Sequence, residues 1–113
     1  MSDSYKKTVE QFTEIINARH VNHLDKVLEE NVEKSENSKV IYKNIEEARE
    51  YYSMEHEAHP SENFLLTQFG EEDQDNHRLT AILSYNKHDY ATTYTFSPLG
   101  KIQKINSILQ EQH

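Results

Sequence analysis

The sequence predicts an α+β fold in which three N-terminal helices pack on a strongly curved, mostly antiparallel β-sheet. Three observations support this prediction. Apolar residues recur at helical spacing in the N-terminal half, apolar and polar residues alternate in the C-terminal half, and a turn containing proline and glycine joins the last two strands. At 113 residues, we expect a single domain over residues 1–113.

The first two helices are predicted from apolar spacing and a candidate cap. From about Ser4 to Arg19, apolar residues recur every three or four positions, which is typical of an amphipathic helix. Asn22 is positioned to cap a short second helix, with Asp25 three residues on to complement its free amides. The buried face of that helix is then formed by Leu24, Val27 and Leu28.

The third helix has recognisable signals at both ends. Asn44 and Glu47 have the spacing of a capping box, in which each side chain serves a free backbone amide of the first turn. This box opens a helix from Ile45 to about Ala58. His59-Pro60 ends it, because the residue before a proline is disfavoured in the helical region.

The remaining stretches predict short strands. A weak hairpin precedes the third helix and four further strands follow it; in order they are Val32–Glu36, Val40–Tyr42, Phe64–Phe69, Leu79–Tyr85, Tyr90–Ser97 and Ile102–Leu109. Asn37-Ser38 is the predicted turn of the hairpin, and the acidic stretch Glu71–Asn76 is a predicted turn between two strands. The sequence leaves open whether the polar residues 31–39 are ordered without a partner.

The C-terminal hairpin is the strongest local signal. Its first strand places Tyr90, Thr92, Tyr94 and Phe96 on one face, and Ala91, Thr93, Thr95 and Ser97 on the other. Ser97–Gly100 turns the chain, because proline restricts φ and glycine accepts a positive φ. The apolar spacing after the turn suits a helix or a bulged strand, and we predict the strand because the turn directs it back along its partner.

Composition excludes several classes of function. Twenty acidic residues against twelve basic give a net charge of −8, which argues against binding nucleic acid or anionic lipid. No apolar run approaches the ~20 residues of a membrane span, and the N-terminus lacks the apolar segment of a signal peptide. There is no cysteine, so we expect no disulfide and a cytoplasmic location.

Three stretches in this order resemble the nuclear-transport-factor-2-like superfamily, which includes SnoaL-like cyclases and ketosteroid isomerase. His23–Glu30 is similar to the family's second helix, with its Leu-Asp start and later acidic residues. Tyr42–Tyr52 is similar to the entry of the third helix, with Asn44 in place of the usual glycine. Tyr94–Ile102 is similar to the closing hairpin with its Gly-Lys-Ile turn. The resemblance implies a cone-shaped fold with an internal pocket, which hosts enzymes, binding modules and dimerisation domains alike.

The isomerase branch of the family implies three catalytic positions. The base position falls at Glu36, with Asn37 adjacent, and the late-strand acid falls at Thr92. The first-helix tyrosine falls near Ile15 or Ile16. Isoleucine cannot donate a hydrogen bond and threonine is a weaker donor than a neutral carboxylic acid. The sequence therefore argues against ketosteroid isomerisation.

A remodelled site in the same pocket is the functional hypothesis. The predicted ligand-binding residues are Tyr52, Tyr90, Thr92, Tyr94 and Phe96. We expect Glu36 or His56 to act as general base, with Tyr94 or Thr92 orienting the substrate. The alternative is that the aromatic residues only build the core, that Glu36 is a solvated strand residue, and that His56 is exposed.

The histidines raise the question of a metal site. His20 and His23, and likewise His56 and His59, have a spacing that can place two imidazoles on one helical face. The first pair spans a predicted helix break, His59 precedes a proline, and no carboxylate completes a known motif. We therefore expect neither a metal nor a cofactor.

Two functions are compatible with these residues. The first is binding of a small apolar ligand in the cone pocket, with or without catalysis as an isomerase, cyclase or hydrolase. The second is a non-catalytic domain that forms a homodimer through the outer sheet face. Ala91, Thr93 and Thr95 on that face are small or β-branched and uncharged, which is unusual for a strand open to water.

Overall fold

The computed structural model describes residues 4–110. The prediction that no signal peptide is present rests partly on the first three residues, which lie outside this range. In chain order the elements are α1 (Ser4–Asn17), a 3-10 helix (Val21–Lys26), β1 (Leu28–Glu36), β2 (Lys39–Tyr42), α2 (Ile45–Ala58), β3 (Leu65–Asp73), β4 (Arg78–Tyr85), β5 (His88–Phe96) and β6 (Ile102–Gln110). The predicted α+β class is confirmed. No helix in this range is long and apolar enough to cross a membrane.

A parallel pairing joins the two parts of the sheet. The strand order is β2-β1-β6-β5-β4-β3, and every neighbouring pair is antiparallel except β1 and β6. In that parallel pair, Lys34 lies opposite Ile105 and Glu36 lies opposite Ser107. The predicted hairpin and the predicted four-strand meander are therefore parts of one six-stranded sheet. One face of the sheet, here called the inner face, packs against the helices.

The predicted alternation of β5 is confirmed. Thr92, Tyr94 and Phe96 are buried on the inner face. Ala91 and its outward-facing neighbours are half-buried. Because aromatic residues at every second position bury one face of a strand, the local pattern is sufficient to orient β5.

The turn after β5 is also as predicted. Gly100 has a φ of +82°, and its amide donates to the Ser97 carbonyl at 2.9 Å. The Ser97 hydroxyl donates to the Glu29 carboxylate at 2.6 Å, which ties the turn to β1. The chain then forms a strand, and the register between β5 and β6 shifts next to Phe96 as expected for a bulge.

The second helix differs from the prediction. The segment is a 3-10 helix that Asn22 does not cap: His20 precedes its first residue and makes no side-chain cap bond. Leu28 lies in β1 and not on a helical face, because β1 begins where its backbone pairs with Ile102 of β6. The amide of Ile102 also donates to the Val27 carbonyl at 2.8 Å. Sheet pairing therefore replaces the last predicted turn of helix.

Two other boundaries moved for local reasons. α1 ends at Asn17, and the side chain of Asn17 bonds the backbone of Phe64. Its Nδ2 donates to the Phe64 carbonyl, and its Oδ1 accepts from the Phe64 amide. Two residues later, Arg19 has a left-handed φ of +66°. β3 continues to Asp73, so only the second half of the predicted acidic turn is a turn. The Asp73 carboxylate accepts a hydrogen bond from the backbone amide of Asn76 at 3.1 Å, and this bond stabilises the turn.

The ends of α2 follow the predicted chemistry. The Asn44 side chain accepts from the Glu47 amide at 2.8 Å. The Glu47 carboxylate reaches back to the amide of Lys43 at 2.9 Å, one residue before the cap. The helix ends at Ala58, with His59 as its C-terminal cap before the proline. α2 therefore begins and ends where short-range signals specify.

Candidate functional site

A cavity of about 150 Å³ lies between α2 and the inner face of the sheet. Its walls come from strands β1, β4, β5 and β6, from the segment before β3, and from the β4–β5 turn. The lining residues are Lys34, Glu36, Tyr51, Glu55, Phe64, Leu83, Tyr85, Asn86, His88, Tyr90 and Ser107. Four tyrosine or phenylalanine rings and one leucine share this wall with charged and polar side chains, so apolar surface lies beside convergent polar groups, as in small-molecule sites.

Lys34 is the unusual residue of this cavity. It lies on β1 and is only 5% exposed, although lysine side chains normally reach water. Its ammonium lies 5.8 Å from the centre of the Tyr51 ring, and within the described residues it has no hydrogen bond or ion pair. Burial lowers the pKa of Lys34, and the carboxylates of Glu36 and Glu55 oppose this shift only in part.

Two carboxylates enter the cavity from different elements. Glu36 is the last residue of β1 and shares the inner face with Lys34 two positions earlier. Glu55 lies on α2, one helical turn after Tyr51. Burial, together with these two carboxylates, raises the pKa of Tyr51 well above its ordinary value. The titratable groups that line the site are therefore one amine, two carboxylates, the His88 imidazole and several phenols.

Tyr85 contributes an unpartnered hydroxyl. Its ring stacks on Phe64 with the centroids 3.9 Å apart, which orients it towards the cavity. The hydroxyl is buried and makes no hydrogen bond of normal geometry with another described residue, while the Glu55 carboxylate lies near enough to interact with it. Burial and the nearby Glu55 carboxylate raise the pKa of Tyr85 to about 12, so the group is a proton donor at neutral pH.

The sequence-predicted site residues separate into two groups. Glu36 and Tyr90 line the cavity. The other predicted ligand-binding residues are buried in the core away from the cavity lining; they are Tyr52, Thr92, Tyr94 and Phe96. The inner face of β5 therefore contributes one aromatic residue to the cavity, and the rest of its series contributes to packing.

The interior that the sequence suggested as an aromatic pocket is filled by side chains. The hydroxyls of Tyr42 and Tyr52 lie 2.9 Å apart, and both residues are 1% exposed. The Thr92 hydroxyl lies 3.1 Å from that of Ser107, which in turn lines the cavity. Tyr5 stacks on Phe96 with the centroids 4.1 Å apart. The first two contacts pair buried hydroxyls with each other, and the third is an aromatic stack.

His56 lies apart from the cavity lining. Partial burial and the nearby Arg19 guanidinium hold its pKa below the usual value, against the opposing effects of the Ile16 backbone and Glu55. Its Nε2 atom is buried without a hydrogen-bond partner in the described part of the chain. The imidazole therefore belongs to the contact between α2 and the end of α1.

Nine of the eleven lining residues were not predicted as site residues, among them Lys34, Tyr51, Glu55 and Tyr85. Lys34 lies two residues before Glu36, and side chains two apart on a strand face the same side of the sheet. This spacing would have identified Lys34 as a neighbour of the candidate base. Glu55 had no comparable signal, because an acidic residue on a polar helix is ordinarily solvated.

Neither histidine pair gains completing metal ligands from the described residues. The rings of His20 and His23 lie 5.3 Å apart. Across residues 4–110, no group of three or more His, Asp or Glu side chains is placed to hold a metal ion. These imidazoles therefore remain an aromatic pair at the surface.

Comparison with known proteins identifies the fold. No family model matches the chain, and no curated protein matches it. An NTF2-like protein of unknown function from Exiguobacterium sp. 255-15 has a TM-score of 0.77 and 11% identity, over 93% of this chain and 99% of that chain. A SnoaL-like polyketide cyclase from Agrobacterium tumefaciens C58 has a TM-score of 0.74 and 15% identity, over 95% and 91%.

A third solved structure is the epoxide hydrolase/cyclase-like enzyme SalBIII, described for pyran ring formation in the polyether salinomycin. It has a TM-score of 0.78 and 18% identity, covering 97% of this chain and 95% of its own. Identities this low establish the fold and leave the chemistry to the residues of each site. The chain has the nuclear-transport-factor-2-like fold, as its sequence motifs indicated.

Proposed function

We propose that this protein binds a compact, uncharged small molecule in the cavity between α2 and the sheet. The observation that supports this most directly is the buried Tyr85 hydroxyl, which lines the cavity and makes no hydrogen bond of normal geometry with another described residue. An unsatisfied buried hydroxyl costs about 1–3 kcal/mol. A ligand with an acceptor group recovers that cost, so the hydroxyl favours an occupied cavity.

The cavity volume limits the ligand. A cavity of about 150 Å³ is large enough for a molecule of the size of benzene. A steroid or a polyketide of several rings needs considerably more space. The expected flat, apolar ligand is therefore limited in size to a compact molecule, which packs against the rings of Tyr51, Phe64 and Tyr90.

The polar residues support acid–base chemistry on that ligand. We assign Glu36 the role of general base, with Glu55 as the second carboxylate of the site and Tyr85 as donor to a substrate oxygen. Proton transfer between such groups serves an isomerase, a cyclase or a hydrolase. Two solved proteins with the same fold are described as a polyketide cyclase and as an epoxide hydrolase/cyclase-like enzyme.

Ligand-induced stabilisation tests the proposal. The melting temperature would be measured with phenol, benzyl alcohol and a steroid, in the wild type and in Leu83→Phe, which fills part of the cavity. We expect the compact compounds to raise the melting temperature of the wild type and to lose this effect in the variant. Ile82→Phe is the matched control, because Ile82 is the preceding residue of β4 and faces outwards. No shift with any compact compound, or equal shifts in both variants, would contradict the proposal.

A second function, homodimerisation through the outer sheet face, has its own support. Ile82, Ala91 and Ile108 form a continuous uncharged row across β4, β5 and β6, and Ile108 is 51% exposed. Burying such a row against a second copy removes apolar area from water. We expect sedimentation to give a dimer that Ala91→Glu dissociates, whereas Ala58→Glu at the exposed end of α2 leaves it intact. A wild-type monomer at all concentrations would exclude this role.

A further inference from the structure

We propose that Lys34 is a nucleophilic amine that forms an imine with a compact, uncharged aldehyde held in the cavity. The inference rests on the proposed small-molecule function and adds a residue, a bond and a substrate class to it. It starts from the position of Lys34, which is buried on β1 beside the cavity and whose ammonium has no hydrogen bond or ion pair with another described residue.

The surroundings of Lys34 leave its nitrogen available. The Tyr51 ring faces the ammonium at 5.8 Å, a contact that does not occupy its N–H groups in hydrogen bonds. A structural lysine in a core is normally neutralised by a carboxylate at hydrogen-bond distance, and this one is not. An uncommitted amine that lines a cavity is positioned to react with what the cavity holds.

The protonation state supports the same role. An amine attacks a carbonyl only as the free base, and desolvation lowers the pKa of Lys34. The titratable groups that face it across the cavity are Glu36 on β1, Glu55 and Tyr51 on α2, Tyr85 on β4, and His88 and Tyr90 on β5. The two carboxylates favour the ammonium, and burial outweighs them. Lys34 therefore holds more free base at neutral pH than an exposed lysine.

The step balances without a further reactant. The amine nitrogen attacks the carbonyl carbon, the new C–N bond forms, and the carbonyl electron pair moves to oxygen, which takes a proton. The C–O bond then breaks and the oxygen leaves as water, while the nitrogen lone pair completes the C=N bond. Both hydrogens of the free amine leave in that water. Glu36 and Glu55 are positioned to transfer these protons, and Tyr85 to donate to the carbonyl oxygen.

The lining selects the substrate class. Two carboxylates beside a single amine disfavour an acidic substrate, so a keto acid is a poor fit. The aromatic walls and the volume of about 150 Å³ favour an aldehyde on one small ring or a short unsaturated chain. Benzaldehyde has this size and chemistry and serves as the probe.

Reductive trapping tests the inference. The protein would be incubated with benzaldehyde and sodium cyanoborohydride at neutral pH, and the benzylated lysines identified by intact mass and peptide mapping. We expect one benzyl group, on Lys34, in at least about tenfold excess over any other lysine. Lys34→Met should lose this label, and Lys43→Arg, which alters an exposed lysine, should keep it. Labelling spread over the surface lysines with Lys34 unmodified would overturn the inference.

A second probe separates the failure of this inference from the failure of the proposed function. Benzyl alcohol matches benzaldehyde in size and cannot form an imine. If it stabilises the wild type and slows benzylation of Lys34, both proposals are supported. If it stabilises the protein while Lys34 stays unlabelled, the cavity binds ligands but Lys34 is not a nucleophile. If it neither binds nor protects, and Lys34 stays unlabelled, both proposals fail. The wild-type protein provides all of these readouts, so they do not depend on a variant that folds.

Discussion

Replacing Lys34 by methionine should stabilise the protein at neutral pH. Lys34 is 5% exposed and its pKa lies below the ordinary value, which means that the folded protein disfavours its charge. Methionine keeps most of the apolar stem and removes the ammonium. Exchanging a buried ionic group for an apolar residue of similar volume is neutral or stabilises by about 1–4 kcal/mol.

Two losses reduce that gain. The ammonium loses its contact with the Tyr51 ring, which costs about 0.5–1 kcal/mol. It also loses the electrostatic attraction of the Glu36 and Glu55 carboxylates. We therefore expect a net stabilisation of about 1–3 kcal/mol, measured by urea unfolding at neutral pH. Lys43→Met is the control, since Lys43 is exposed and its replacement should change the free energy of unfolding by less than about 0.5 kcal/mol.

The effect should depend on pH with a definite sign. The folded-state pKa of Lys34 lies below its unfolded value of 10.5, so the unfolded chain holds the proton more tightly. The resulting destabilisation of the wild type is complete below the folded-state pKa and disappears as the pH rises towards 10.5. The advantage of the methionine variant should shrink over the same interval. A variant less stable than the wild type at neutral pH, or a difference that does not vary with pH, would refute this reasoning.

Three further substitutions test the packing around the site. Tyr52→Phe leaves the buried Tyr42 hydroxyl without its partner at 2.9 Å and should cost about 1–2 kcal/mol in urea unfolding; an unchanged midpoint would mean that the bond is not formed. Tyr85→Phe removes an unpartnered hydroxyl and should leave the melting temperature unchanged or raise it, whereas a large decrease would show that the hydroxyl has a partner. Gly100→Ala should cost about 1–2 kcal/mol through φ alone, because nothing lies within 4 Å of the added methyl group. A neutral result there would mean that the turn adopts another conformation.

Several elements were predictable because their signals lie within a few residues. The aromatic alternation of β5 orients that strand whatever its neighbours are, since one face must be buried. Asn44 caps α2 through its own side chain, and Pro60 limits the other end through local sterics. Gly100 adopts the left-handed φ that the turn requires. None of these features depends on a distant contact.

The second helix and the cavity were not predictable in this way. Val27 and Leu28 have apolar character that suits a helix or a strand, and pairing with Ile102 decides for the strand. The aromatic alternation of β5 predicts Tyr94 as a ligand contact, but its ring fills the core, because helices and sheet approach closely enough to close that space. How tightly two elements pack is a property of the assembled molecule.

By itself the sequence determined the fold class, the strand that carries the aromatic face, the caps of α2 and the closing turn. Tertiary structure decided the parallel pairing of β1 with β6 and, through it, the environment of Lys34. In sequence Lys34 lies within the polar run Glu33–Glu36; its spacing relates it to Glu36, but nothing local indicates that its charge is buried. Pairing with β2 on one side and with β6, opposite Ile105, on the other places Lys34 on an interior strand in contact with α2. Burial of a charge follows from contacts between residues far apart in the chain, and a local pattern does not encode them.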